Sequence, residues 1–125
     1  MILYTDLSQS GKLWELGIDS DTSDMIWTTD MADCFFEYPT LDWRPEKKYI
    51  DGKTNLPCWS HGALVKLMPD RIKGVSGVDL DLMINNNCVC YFDQTGMAHG
   101  PCFYGPDMIE NAVKMVEWLK ENKKI

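Results

Sequence analysis

The sequence is short of the features that most often announce a function. It has no long apolar run, so no segment is expected to cross a bilayer and no membrane partner is expected. It has no glycine-rich phosphate loop, of either the dinucleotide or the P-loop pattern. No serine stands in a nucleophile elbow. Paired Cys-x-x-Cys knuckles are missing, and the histidines are two, His61 and His99. Basic residues are outnumbered, 12 Lys and Arg against 19 Asp and Glu, for a net charge of −7. So acidic a chain repels phosphate, which disfavours a nucleic acid held by direct backbone contact. Met1–Asp6 lacks the positive start and cleavage site of a signal peptide, so a cytoplasmic location is expected.

What is present suits an ordinary folded core. The 125 residues fit one domain, 1–125, and 45% of them are apolar. Five Trp, five Tyr, four Phe and eight Met supply large bodies to bury. The five cysteines (34, 58, 88, 90 and 102) are odd in number and not spaced as a secreted disulfide framework. Reduced thiols, mostly packed as small hydrophobes, are the expectation.

Periodicity and punctuation give the elements. Ser8–Leu16 reads as a helix with Gly17 just past its end. The run Asp19–Asp24 reads as a polar turn. Met25–Trp27 and Cys34–Tyr38 read as short strands. From Pro39 to Pro57 the sequence is irregular and reads as a long surface excursion, with Tyr49-Ile50 a strand fragment before an Asp51-Gly52 turn. Between Pro57 and Pro69 lies a short helix, with Ser60 as its N-cap and Pro69 as its stop. Val78–Ile84 alternates strictly between apolar and other residues, a half-buried strand. Asn85–Asn87 turns it back into Cys88–Phe92, with Asn chosen for its tolerance of positive φ. A two-residue loop sets Val89 and Tyr91 beside Leu80, Leu82 and Ile84, and a three-residue loop sets Cys88, Cys90 and Phe92 there. The first register is preferred. Asp93–Pro106 reads as loop or short strand. Asp107 then caps a long amphipathic helix with Met108, Ile109, Ala112, Val113, Met115, Val116 and Leu119 on its apolar stripe. The fold expected is α+β: a small antiparallel sheet centred on the hairpin, covered by the short central helix and the long C-terminal helix.

Several side-chain groupings carry possible chemistry, each with a plainer counterpart. Cys58 and His61, with His99, Cys102, Cys88 and Cys90, have spacings zinc accepts, but no metal is expected in a chain with so large a core. Cys58 at a helix start, with His61 or His99 as base, is the alternative of a cysteine-dependent enzyme. Asp19, Asp21, Ser23 and Asp30 fall at calcium-loop positions, yet Asp24 replaces the turn glycine, so a capped acidic turn is the simpler reading. Asp79 and Asp81 share one strand face and read as a solvated face rather than a catalytic pair. Tyr38, Trp43 and Tyr49, with Arg44, Lys47 and Lys48 nearby, make an aromatic and basic patch of the kind binding hot spots favour. Trp59 and His61 mark a second candidate binding position.

Three separated stretches also carry a resemblance. They are Trp14-Glu15-Leu16-Gly17-Ile18-Asp19 running on to Ser23-Asp24-Met25, then Pro57 to Pro69, then Met115-Val116-Glu117-Trp118-Leu119-Lys120-Glu121-Asn122. In this order they resemble small uncharacterised proteins of gut Bacteroides and their phages or mobile elements. The resemblance implies a bacterial or phage accessory protein and carries no catalytic residues over. Those proteins often lack a cysteine at the position of Cys58, which counts against an essential thiol there. The leading expectation is a small acidic non-catalytic binding or protein-interaction module, without cofactor, whose partner is a protein.

Overall fold

Asp6 starts the first helix by closing a capping box. Its carboxylate accepts from the Gln9 backbone N–H at 2.7 Å, and the Gln9 side chain accepts from the Asp6 N–H at 2.9 Å. The helix that follows, α1, is Leu7–Glu15. It ends where Gly17 takes φ +84°, with Ile18 N–H on the Leu13 carbonyl and Gly17 N–H on that of Trp14. That pair of bonds is the Schellman closure, and glycine adopts its left-handed position without steric cost. The computed structural model describes residues 3–28, 40–43, 55–74, 77–95 and 99–125, with backbone alone for 40–43 and 99. The chain divides into two compact units, 1–63 and 64–125.

In the first unit, Asp19 caps a single 3-10 turn, Ser20–Thr22, so the acidic run is the capped turn that the simpler reading expects. Strand β1, Met25–Thr28, pairs antiparallel with β2, Thr40–Trp43, on one side and with β3, Asn55–Cys58, on the other. The expected irregular excursion from Pro39 to Pro57 therefore needs correction: both its ends are strands of a three-stranded sheet in the order β2-β1-β3. Pro57 hid the second of these. It is tolerated because β3 is an edge strand, where a missing N–H breaks no ladder. The expected strands at 34–38 and 49–50 lie outside the described residues. Ser60 caps helix α2, His61–Lys66, its hydroxyl accepting from Ala63 N–H at 3.2 Å.

The second unit holds a four-stranded antiparallel sheet in the order β4-β5-β6-β7. The strands are Arg71–Lys73, Asp79–Ile84, Cys88–Phe92 and His99–Tyr104. The hairpin takes the preferred register, with Leu82 opposite Tyr91 and Ile84 opposite Val89. Its turn works differently from expectation. Asn86 and Asn87 stay out of positive φ; instead the Asn85 side chain accepts from the N–H groups of Asn87 and Cys88. Helix α3, Met108–Glu121, begins on Asp107, which accepts from Ile109 and Glu110 N–H. It packs on β6 and β7, burying Ile109, Ala112, Val113, Met115, Val116 and Leu119. The α+β class and the hairpin-centred sheet with its C-terminal helix are as expected.

Asn111 is a core residue that the apolar stripe does not include. It is 4% exposed, and its amide donates to the carbonyls of Gly105 (3.0 Å) and Asn87 (3.3 Å). It thereby ties the helix to the hairpin turn and to the end of β7. A buried amide is tolerated only when satisfied in this way.

Candidate functional site

The N-terminal segment frames Cys58. Thr5 N–H donates to the Trp59 carbonyl at 2.9 Å, and His61 N–H to the Leu3 carbonyl at 2.9 Å. The Thr5 hydroxyl accepts from Trp59 N–H at 3.0 Å, lies 2.7 Å from the Ser10 hydroxyl and donates to the Cys58 sulfur at 3.5 Å. The Cys58 thiol in turn donates to the Thr5 carbonyl at 3.3 Å. Cys58, Thr5 and Ser10 have no exposed surface. Burial is the main cause that pushes the Cys58 thiol up to about 11, with Asp24 adding to it against the Thr5 and Ser10 hydrogen bonds. A nucleophilic cysteine needs the reverse: access, and a depressed pKa. The surroundings of Cys58 therefore make it a structural thiol.

His61 is half-buried, and that burial lowers its pKa. His99 stands on β7 opposite Phe92, in the second unit. Trp59, expected at a binding surface, is instead fully buried, with its indole N–H on the Thr22 hydroxyl at 2.9 Å. Its large apolar body and single donor are both satisfied in the core. Asp24 is the residue the sequence reading missed here. Its carboxylate accepts from Ser60 N–H at 2.9 Å and also from the Ser60 hydroxyl, fixing the start of α2 from β1's leading edge. Of the aromatic and basic patch, Trp43 ends β2, while Tyr38, Arg44 and Tyr49 lie outside the described residues. Among the described residues no group of three or more His, Cys, Asp or Glu is placed to hold a metal ion.

Asp79 and Asp81 are used up by charge pairing. Arg71 lies opposite Asp81 and Lys73 opposite Asp79, with contacts of 2.7 and 2.5 Å. Lys73 holds Asp79 below the usual carboxylate range, and Asp81 raises Arg71. These exposed cross-strand pairs make a solvated sheet face, as expected.

The second unit contains a cleft of about 250 Å³. Ile72, Leu80, Pro101 and Trp118 give it apolar walls, and Lys73, Asn122 and Lys124 line it as well. Gly74 and Gly100 line it because Leu80 packs against them; a Cβ on Gly100 would meet the Leu80 side chain at 2.8 Å and the Tyr91 carbonyl at 2.7 Å. The position of Lys124 follows from the end of α3. Lys123 takes φ +57°, Lys124 N–H reaches the Leu119 carbonyl at 2.8 Å, and Lys123 N–H reaches that of Lys120 at 3.2 Å. This is a Schellman closure with lysine where glycine is favoured. It turns the chain back, and Lys124 lines the same cleft as Trp118. Among the described lining residues there is no cysteine, serine, histidine or carboxylate.

The sulfur atoms of Cys90 and Cys102 correct the expectation of reduced thiols. The two residues face each other across β6 and β7 and are joined in a disulfide, whereas Cys58 and Cys88 are unpaired and buried. Strand register decides this, since direct opposition brings two side chains on one face to their closest approach. Among the described residues no helix is long and apolar enough to cross a membrane. No protein-family model, curated protein or solved structure matches the chain.

Proposed function

We propose that this chain is a small acidic, non-catalytic protein-interaction module, cytoplasmic and of bacterial or phage origin. Its binding site is the cleft between Leu80, Pro101 and Trp118. The observation that carries the reading is the placing of Lys124 beside a partly exposed tryptophan on a chain of net charge −7, with Lys73 in the same lining held by Asp79. An aromatic wall with a cation beside it matches a peptide segment that presents one large apolar side chain next to a carboxylate. The apolar side chain seats against Leu80, Pro101 and Trp118, and the carboxylate meets Lys124. A lining of apolar side chains, glycines, one amide and two lysines favours binding over catalysis. The buried, protonated Cys58 supports it as well.

The test is a titration of ¹⁵N-labelled protein with the blocked dipeptide acetyl-Phe-Glu-amide. A probe of this size should bind with a Kd on the order of 0.1 mM. The Trp118 indole and the Leu80 and Lys124 amides should shift together. Shifts confined to other residues, or none at millimolar probe, would refute the assignment.

A further inference from the structure

One face of β6 carries Cys88, Cys90 and Phe92 in alternation, and its neighbours continue the row. Met83 of β5 lies opposite Cys90, and Cys90 lies opposite Cys102 of β7. The disulfide opens on a second cavity, about 340 Å³, lined by Met83, Phe92, Gly100 and Tyr104 together with the two cysteines. Met83 is 41% and Tyr104 75% exposed, so the mouth of this cavity is accessible. Cys102 is half-buried, whereas Cys90 is only 6% exposed. The strand register shifts between Cys90 and Phe92, an irregularity of the kind that often neighbours functional positions.

We propose that Cys90–Cys102 is a reversible exchange site for a low-molecular-weight thiol, entered through the cavity between Met83 and Tyr104. The geometry assigns the roles. A small thiolate reaches the Sγ of Cys102, the more exposed sulfur. The new bond joins the incoming sulfur to Cys102, the Cys90–Cys102 bond breaks, and its electron pair leaves on Cys90, which takes a proton from water. A second small thiolate attacks the sulfur of the bound thiol and releases Cys102, which is protonated in turn. The balance is one protein disulfide and two small thiols giving two protein thiols and one small-molecule disulfide.

The strands hold the pair in place throughout. Pairing of Val89 with Phe103 and of Cys88 with Tyr104 continues beside it, and the Cα atoms of Cys90 and Cys102 lie 4.1 Å apart. The open form therefore keeps its two sulfurs close, and reoxidation needs no search by the chain. A disulfide with one sulfur reachable from a cavity is open to exchange, while fully buried structural ones resist the glutathione pool. The cavity admits a small thiol more readily than the active site of a folded protein.

The experiment equilibrates the full chain with a series of reduced-to-oxidised glutathione ratios, quenches with acid, alkylates, and counts thiols by intact mass and peptide mapping. Cys90 and Cys102 should pass together from disulfide to dithiol within the series, while amide spectra keep the folded pattern. Exchange should be at least about tenfold faster than opening of the β6 amides measured by hydrogen exchange. Cys102→Ser should abolish the transition, and Cys88→Ser should leave it unchanged. A pair that stays oxidised at every ratio until urea unfolds the chain would overturn the proposal, as would a pair that stays reduced at every ratio. The readout counts sulfur oxidation state alone, so it stands or falls independently of peptide binding in the Trp118 cleft.

Discussion

Replacing Asn111 with alanine should destabilise the second unit by about 1–2 kcal/mol, and the structure supplies each part of that figure. The Asn111 amide donates to the Gly105 carbonyl at 3.0 Å and to the Asn87 carbonyl at 3.3 Å. Asn87 keeps a bond from Gly105 N–H at 2.9 Å, so its carbonyl is still satisfied in the variant. The half-buried Gly105 carbonyl loses the amide that holds it, and removing one partner of such a bond costs roughly 1–3 kcal/mol. Alanine returns roughly 0.5 kcal/mol through its better helix propensity. Asn111→Asp should be worse, since it points a carboxylate at two carbonyl oxygens in a site that is 4% exposed. Urea unfolding monitored by circular dichroism gives the midpoint, and the slope reports whether the transition has changed character. A thermal melt should fall by roughly 3–5 °C per kcal/mol. Amide exchange at β7 and the first turns of α3 should accelerate together. An Asn111→Ala protein with unchanged midpoint, slope and exchange would show that this amide ties nothing together.

Other outcomes follow from the same packing. Val116→Asp should cost on the order of 3 kcal/mol or more, because Val116 has no exposed surface; an unmoved urea midpoint would mean the wrong helix face was assigned. Cys58 should resist maleimide at pH 8 in the folded protein, where a thiol with a pKa of about 11 is roughly 0.1% thiolate. Its raised pKa also has a sign for stability: the contribution is intact below pH 9, the ordinary value, and is lost as pH rises towards about 11. Cys58→Ala should flatten that alkaline decline in a urea series across pH. Lys123→Gly should stabilise the protein by roughly 0.5–1 kcal/mol by relieving lysine of its left-handed backbone, and a lower melting temperature would contradict the reading of the α3 terminus.

Much of this fold is legible locally. Asp107 followed by a 3.6-residue apolar stripe marks α3 almost to the residue. Ser60 and Pro69 bracket α2, and the alternation of Val78–Ile84 gives β5, while the hairpin register, left between two loop lengths, is the preferred one. What escaped depends on partners far along the chain. β4 is three residues between Pro69 and Gly74, too short for any period to show. Gly100 and Pro101 disguise β7, although proline is acceptable on that edge strand and glycine is required where Leu80 and Tyr91 press on it. Asn111 looks like a surface amide until Asn87, 24 residues away, closes over it. Cys90 and Cys102 become a pair only once β6 and β7 are in register. The site suffered most. Cys58 and Trp59 drew notice as crowded reactive side chains, and burial made both structural. The Trp118 cleft joins residues from β4, β5, β7 and α3, which no single stretch of sequence displays together.

The most direct test of the proposed site is a charge exchange across it. Calorimetric titrations would compare acetyl-Phe-Glu-amide and acetyl-Phe-Lys-amide on the parent chain and on Lys124→Glu. Lys124 lies past the end of α3, so the substitution should leave the fold intact. The parent should prefer the glutamate probe by roughly fivefold or more, and Lys124→Glu should reverse the preference. Trp118→Ala should weaken both probes. Equal affinities for the two probes on both proteins, at low salt where such contacts are strongest, would contradict the account.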